Sequence, residues 1–468
     1  MLLLLAQTKK LPQMDYIDFL KNKRHSAGNF GFEPVYIPEF LFDYQKYVLE
    51  YAMKKGRCAI FADTGLGKTA IELALAENII RKTGGRVLIL TPLAVAFQFI
   101  KENEKLQICD SIEYSRQGKY KSSVVVCNYE RLKFFNPEDF EAVILDESSI
   151  LKNFEGAIKT HITSFIKRVK YRYLCTATPS PNDFIELGTS SEALGYMGYM
   201  DMLSKFFTNN EDTIKPQNIG TKWILKGHAQ DKFFEWVSSW SISLRKPSDL
   251  GFSDDKHILP QLITKHHPVK NEENLIVDGQ IQLFNQIARR LTEVRQENKM
   301  TIEQRCARAV DLSKDYQTSV YWCNFNNEGD LLEQLDPNAK QIKGSMNLDK
   351  KEELLLAFAN GEVSKLITKP KITAFGLNWQ HCNHTVYFPT FSYEQYYQAI
   401  RRFWRFGQKN DVVVDMVYSD GQKRVLDSLM AKAEKANQLF DKLNTSVNSG
   451  FKDTIKNFDT QIQKPSFL

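Results

Sequence analysis

Short apolar runs alternate with amphipathic segments along most of this 468-residue chain. Between residues 40 and 190 the runs are Ala59–Phe61, Val87–Leu90, Val124–Cys127, Val143–Leu145 and Tyr173–Cys175, each bounded by polar or turn residues. Strand-length runs with helix-length spacers predict βαβ units, and hence a parallel sheet that works at the carboxyl ends of its strands. The alternation resumes from Ser319 to about Val417, with runs Val320–Trp322, Lys365–Thr368, Thr385–Phe388 and Val412–Val417. Residues 191–265 lose the rhythm: Tyr196, Met197, Tyr199, Met200, Met202, Phe206 and Phe207 cluster, and Trp236 and Trp240 follow a polar stretch. Leu283, Phe284, Ile287, Leu291 and Val294 share one helical face, and Val425, Leu429, Ala433, Ala436, Leu439 and Leu443 mark an amphipathic helix over 421–443. The expected fold class is α/β, two parallel-sheet lobes in tandem with a helical insertion between them. The expected divisions are an extension over 1–38, a first lobe over 39–195, a helical connector over 196–280, a second lobe over 281–420, and a helix and tail over 421–468.

Composition narrows the class without fixing a partner. At 43% hydrophobic and 25% charged residues the chain is globular, neither disordered, collagenous nor a disulfide scaffold. A net charge of +6 excludes a polycation and leaves room for a local basic groove. The basic knot Lys21, Lys23 and Arg24 reads as a solvated helix end before it reads as a phosphate contact. The 7 cysteines are odd in number and form no C-x-x-C pair, which predicts buried reduced thiols. The leucine run after Met1 is shorter than a signal-peptide core, and no stretch reaches membrane-spanning length, so a cytoplasmic protein with no membrane partner is expected. The last 25 residues are expected to be weakly ordered.

Chemistry enters with Ala62-Asp63-Thr64-Gly65-Leu66-Gly67-Lys68-Thr69, which follows an apolar strand and opens a helix. Glycines let backbone N–H groups turn around a phosphate, and the helix amino end adds positive potential. Lys68 is placed to reach the β- and γ-phosphates, and the Thr69 hydroxyl to ligate Mg2+. About 80 residues on, the run Val143–Leu145 ends in Asp146-Glu147. Asp146 suits the metal, and Glu147 suits the water that attacks the γ-phosphate. Together the two parts predict a Mg2+-dependent nucleotide hydrolase.

Further motifs, in order, carry a resemblance. Leu41-x-x-Tyr44-Gln45 precedes the phosphate loop, the acidic pair extends to Lys152-Asn153, and Thr176-Ala177-Thr178-Pro179-x-x-Asn182 closes a later strand. The second half holds Gln398-Ala399-x-x-Arg402-x-x-Arg405-Phe406-Gly407-Gln408, and Leu244-Arg245-Lys246 and Leu259-Pro260 lie between the halves. This set, over roughly residues 38–418, resembles helicase superfamily two, and within it the Swi/Snf-type double-strand DNA translocases. Ser149 stands where that branch commonly has histidine. The fifth motif is reduced to Thr373-Ala374-Phe375-Gly376-Leu377-Asn378 and, running on into Trp379-Gln380-His381-Cys382, is similar to that of small members encoded by phages and prophages.

The resemblance implies two RecA-like lobes and a DNA-dependent ATPase with ATP and Mg2+ as cofactors, in a bacterial or phage-infected cell. Gln45 would recognise adenine; Thr64, Gly65, Gly67, Lys68 and Thr69, with Gly376, would cradle the nucleotide. Arg402 and Arg405 would reach from the second lobe as arginine fingers. DNA, duplex and read without sequence preference, would meet Thr91, Pro92, Asn128, Tyr129, Lys152 and Asn324 across a positively charged seam facing Asn128, Lys152 and Gly376. A strand-separating helicase tracking single-stranded DNA, a DNA-binding scaffold with a degenerate ATPase, and a remodeller of protein–nucleic-acid complexes with an unknown protein partner remain as alternatives. His381, Cys382 and His384 have the wrong spacing for a zinc site and read as a packed turn. The 196–207 cluster reads as a helical core face rather than a partner surface, and Trp404 as packing that fixes its flanking arginines or as a base-stacking ring.

Overall fold

The computed structural model describes residues 28–92, 95–152, 156–209, 223–255, 257–270, 276–277, 280–281, 299–372 and 378–454. In chain order the strands of the first half are β1 Arg57–Ala62, β2 Arg86–Thr91, β3 Ile112–Tyr114, β4 Val124–Asn128, β5 Phe140–Asp146, β6 Tyr171–Thr176, β7 Phe207–Asn209, β8 Trp223–Leu225 and β9 Ser241–Leu244. The second half holds β10 Leu262–Val269, β11 Ile276–Val277, β12 Gln280–Ile281, β13 Ser319–Trp322, β14 Ala339–Gln341, β15 Lys365–Thr368, β16 His384–Tyr387 and β17 Val412–Ser419.

Seven strands form the first sheet in the order β3-β4-β2-β5-β6-β1-β9, and six form the second in the order β10-β17-β16-β13-β15-β14. Every pairing within both sheets is parallel. A parallel sheet has helices on both faces, so its strands read as unbroken apolar runs. In the first lobe Ala59, Phe61, Leu88, Leu90, Val125 and Cys127 enter one core, while their neighbours Cys58, Ile60, Val87, Ile89, Val124 and Val126 enter the other. Two parallel-sheet lobes in tandem, the expected RecA-like arrangement, are therefore present. All nine strands anticipated as apolar runs are found: Lys365–Thr368 has the expected bounds, Thr385–Phe388 is shifted back by one residue, and the other seven are longer by one to four residues in total.

The segment 196–280 departs from its expected helical character. The helices Tyr199–Phe206 and Gln230–Ser238 lie there, but β9 completes the edge of the first sheet beside β1, and β10 the edge of the second beside β17. Strands β7 and β8 form a small antiparallel pair. The Met and aromatic cluster is a core face: Met197, Met202, Phe206 and Phe207 are buried with Phe233 and Trp240, while Met200 is exposed.

The carboxyl-terminal helix runs from Lys423 to Thr454, into the stretch expected to be weakly ordered. Of the helix expected over 281–294 only Ile281 is described, and it ends β12; the rest of it, the basic knot at 21–24, Gly376, Asn153 and residues 455–468 lie outside the described residues. All 7 cysteines are buried and reduced. Among the described residues no helix is long and apolar enough to cross a membrane.

Candidate nucleotide site at the lobe seam

Strand β1 delivers the chain into the phosphate loop, and the helix Lys68–Thr83 takes it away with Gly67 as its N-cap. Gly65 and Gly67 have φ of 87° and 73°, the left-handed region that side chains avoid. Space is equally restrictive. A Cβ on Gly67 would lie 2.3 Å from Gln45 Nε2, and one on Gly65 would lie 2.9 Å from the backbone nitrogen of Phe406 in the second lobe. Lys68 Nζ donates to the carbonyls of Ala62 at 2.9 Å and Asp63 at 3.3 Å, inside the loop it is expected to serve.

Gln45 lies on the loop as well. Its Nε2 donates to Leu66 O at 3.0 Å, and its Oε1 accepts from Phe42 N at 3.0 Å. Tyr44 donates to the same carbonyl at 3.1 Å and meets His257 Nε2 at 3.0 Å. The His257 ring is 4.9 Å from that of Phe42 and 5.1 Å from that of Phe406. A lone histidine in a connector carries no sequence signal, and its place at the seam was not anticipated.

Asp146 ends β5 and is buried, its Oδ2 accepting from Thr91 Oγ1 at 3.0 Å. Burial pushes its pKa up, against the pull of Lys68, the Thr91 hydroxyl and the Glu147 backbone. Glu147 follows with φ of 52°, one of only two non-glycine residues with positive φ among those described. That conformation costs about 1–3 kcal/mol, and such strain gathers where a side chain must be aimed. Burial and the neighbouring Asp146 push the Glu147 carboxyl up to about 7; Lys68 and Arg402 pull the other way, and Glu394 adds to the rise.

Sequence reading missed Glu72, on the first turn after Lys68. It is fully buried, and neither carboxylate oxygen has a hydrogen-bonding oxygen or nitrogen partner. Its burial, with Asp146 beside it, holds it well above the usual carboxylate range, while the Cys175 thiol and Lys68 oppose that shift. A glutamate within a helix reads as a solvent-facing charge, so only the fold reveals this one.

The second lobe brings the helix Tyr393–Ile400 and the turn after it against this site. Arg402 lies over the Trp379 ring at 5.4 Å, and burial and Arg405 draw its pKa down to about 10 while Glu147 opposes them. Arg405 donates to Asn378 Oδ1 and is likewise drawn down to about 10, by burial and then Arg401. Trp404 packs: its Nε1 donates to Pro260 O at 2.7 Å, tying the connector to the arginine turn.

The residues expected to touch DNA are turned inward. Thr91 is fully buried on Asp146, and the Tyr129 hydroxyl donates to the Asp146 carbonyl. Asn128 accepts from Tyr114 at 3.1 Å and donates to Glu130 at 2.6 Å. Asn324 Nδ2 donates to the carbonyls of Phe388 and Pro389, both at 3.3 Å. Lys152 pairs with Glu394 across the seam, where Glu394 also accepts from Ser149 at 2.8 Å. Pro92 is half-buried, and its carbonyl accepts from Val95 N at 2.9 Å. Exposed cations follow two of these strands in sequence, Arg131 and Lys133 after β4 and Lys371 after β15.

His384 is buried on Ser319 at 2.8 Å and Asp415 at 2.9 Å, and His381 packs on Phe358, as a packed turn requires. The donor set at the seam, Thr69 and Asp146, consists of hard oxygens that fit Mg2+ shared with a nucleotide.

Family models match both halves of the chain. Residues 42–186 match the DEAD/DEAH box helicase family, and residues 299–407 the helicase conserved C-terminal domain. The chain is 22% identical over 450 residues to an uncharacterized ATP-dependent helicase, YqhH, of Bacillus subtilis (strain 168), covering 85% of this chain and 78% of that protein. It is 26% identical over 206 residues to the DNA annealing helicase and endonuclease ZRANB3 of Mus musculus, covering 40% of this chain and 19% of that protein. Among solved structures, the Sulfolobus solfataricus SWI2/SNF2 ATPase core in complex with dsDNA aligns at 17% identity and a TM-score of 0.41, over 92% of this chain and 99% of that one.

Proposed function

This chain has the core of a superfamily-two helicase, and from that premise we propose that it is an ATP-driven DNA motor, most specifically a translocase on duplex DNA. The observation that carries the reading is the meeting of Lys68, Asp146 and Glu147 of the first lobe with Arg402 of the second, whose charge opposes the rise in the Glu147 pKa. A hydrolytic site split between two lobes couples phosphate chemistry to their opening and closing.

In this reading Thr64 shapes the loop through its amide on Asp63, and the loop amides at Gly65–Lys68 hold the phosphates, with Gly65 and Gly67 supplying the backbone turn. Lys68 leaves the Ala62 carbonyl for the β- and γ-phosphates, and Gln45 braces the loop beside the adenine. Thr69 and Asp146 hold Mg2+, which when bound neutralises phosphate charge. Glu147 accepts a proton from the attacking water, and Arg402 and Arg405 stabilise charge on the transferring phosphoryl group. Gly376 belongs with the nucleotide set by resemblance.

Thr91 and Tyr129 give the DNA side a mechanical link to the metal carboxylate, because each holds Asp146 by a hydrogen bond. A strand gripped beside Pro92, Asn128 and Tyr129 is thereby felt at the catalytic carboxylates. Phosphate contacts fall to exposed cations such as Arg131, Lys133 and Lys371, and to Lys152 once released from Glu394. Duplex preference rests on the Swi/Snf-like motif set, and kinship with small phage-encoded members on the run 373–382.

ATP turnover measured with duplex DNA, single-stranded DNA and RNA, at two salt concentrations, tests the proposal. Duplex should stimulate most and lose its effect at high salt, and Lys68→Ala and Glu147→Gln should each abolish turnover. Stimulation confined to single strands, with unwinding of a forked duplex, would favour the strand-separating alternative. Turnover surviving Lys68→Ala would overturn the site.

A further inference from the structure

The phosphate loop and the arginine turn meet through a buried polar cluster that the roles above leave unused. Asp63, one residue ahead of Thr64, is 3% exposed. Its Oδ1 accepts from Thr64 N at 2.6 Å and from the Tyr397 hydroxyl, and its Oδ2 accepts from Arg401 Nη2. Arg401 is itself buried at 8% exposure, its guanidinium 4.3 Å from the Trp404 ring centroid and 5.3 Å from that of Tyr397. Its Nη1 donates to Trp404 O at 3.3 Å. Burial pulls the Arg401 pKa down, but Asp63 and Tyr397 outweigh it and the net shift is upward.

The elements explain the arrangement. Glu394, Tyr397 and Arg401 are spaced i, i+3 and i+7, so they line one face of the helix Tyr393–Ile400 and its C-cap. That face is turned on the first lobe at two points: Glu394 reaches Ser149 and Lys152, while Tyr397 and Arg401 reach Asp63. Arg401 is the residue immediately before Arg402. Fixing its guanidinium on the phosphate loop therefore fixes the backbone from which the next side chain departs toward Glu147.

A buried ion pair is a poor source of net stability, because desolvating both charges cancels most of their attraction. It is strongly selective, since any other docking of the lobes leaves one charge buried and unpaired. We propose that Asp63, Tyr397 and Arg401 form an interlobe clasp that sets the docking of the arginine turn on the phosphate loop, acting as positioning residues for Arg402 and Arg405. None of the three is assigned to phosphate, metal or the attacking water. The clasp rests on the ATPase reading for its consequence, though not for its geometry.

The test compares Asp63→Asn, Arg401→Gln, their double variant, Arg401→Lys and Tyr397→Phe in the full chain. Asp63→Asn keeps an acceptor for Thr64 N and removes only the charge. Because the loop donors all lie on the first lobe, ADP affinity should stay within about threefold of wild type. The value of kcat with DNA should fall by about 100-fold in each charge variant, the loss expected when a catalytic group sits about 1 Å out of place. The double variant should be no worse than the poorer single, Arg401→Lys should recover part of the loss, and Tyr397→Phe should lose less than either charge variant. Spin labels at Lys105→Cys and Lys350→Cys, selective because the native thiols are buried, should report a broadened interlobe distance in the charge variants.

Unchanged kcat and an unchanged distance in Asp63→Asn and Arg401→Gln would overturn the clasp, as would losses that multiply in the double variant. If Arg401→Gln fails to fold, Asp63→Asn and Tyr397→Phe carry the same comparison. Absence of ATP turnover in the wild-type chain would sink the motor reading instead, and the label distances would then decide the clasp alone.

Discussion

Glu147 and Glu72 are two carboxyls of the same site held in different environments. Glu147 stands in left-handed backbone at the strand end, half-buried, with Lys68 and Arg402 partly offsetting its burial and Asp146. A carboxyl pushed up to about 7 is a competent proton acceptor only above that pH. The rate constant kcat/KM, which reports the free enzyme, should therefore fall about tenfold per pH unit below an inflection near 7; a flat profile between pH 6 and 8 would count against Glu147 as the base. Glu72 has no compensating cation in hydrogen-bond contact and stays protonated far above the range where an unfolded glutamate ionises. A folded-state pKa raised in this way means that the unfolded chain loses its proton first. Stability is then full below about pH 4.5 and declines as pH rises toward the folded value. Glu72→Gln should raise Tm relative to wild type by a margin that grows between pH 5 and pH 8, measured by thermal unfolding across that range. The acidic pair was legible because it ends an apolar run. Glu72 was not, since burial of a helical glutamate depends on what packs over it.

At the scale of elements, the strands of both sheets were legible wherever two covered faces made them uniformly apolar. The edges were not. Strand β9 is buried throughout yet alternates serine with isoleucine and leucine, and β10 is partly exposed and carries Lys265, His266 and His267; the backbone pairing that makes each an edge strand leaves no mark on composition. The helix Tyr393–Ile400 shows a second limit. Its motif arginines could be matched one by one, but Glu394 acquires meaning only when the fold sets it against Ser149 and Lys152. That contact occupies the lysine expected on DNA. Glu394→Gln keeps an acceptor for Ser149 while releasing Lys152, so duplex affinity should rise at low salt. The slope of log K against log salt should steepen by about 0.9, the increment for one added phosphate contact. Titrations at several salt concentrations measure both; an unchanged slope would mean that Lys152 makes no phosphate contact.

For the whole molecule, the carboxyl-terminal helix decides how freely the lobes part. Its first turns place Leu426 and Leu429 in the core of the second lobe, and further along Leu439, Phe440 and Leu443 enter the core of the first, beside Phe233 and Trp236. Ten residues separate Leu429 from Leu439, about 15 Å of rigid helix. Polar contacts follow the same path: Lys432 Nζ donates to Phe391 O at 2.7 Å in one lobe, and Asp441 accepts from Arg245 at 2.9 Å beside the other. The periodicity of residues 421–443 announced an amphipathic helix, but one apolar face cannot say that it serves two cores. A rigid element anchored at both ends resists opening of the seam, so an opening stroke must bend it or undock one end. Replacing Leu439 and Leu443 by alanine removes two fully buried anchors, each worth about 2–5 kcal/mol when well packed. Hydrogen exchange over 437–445 should then accelerate while exchange in the β13–β17 sheet stays as in wild type, and interlobe distances should broaden. DNA-free ATP turnover should change with them; unchanged exchange and turnover would show that the helix caps the two cores without restraining the seam.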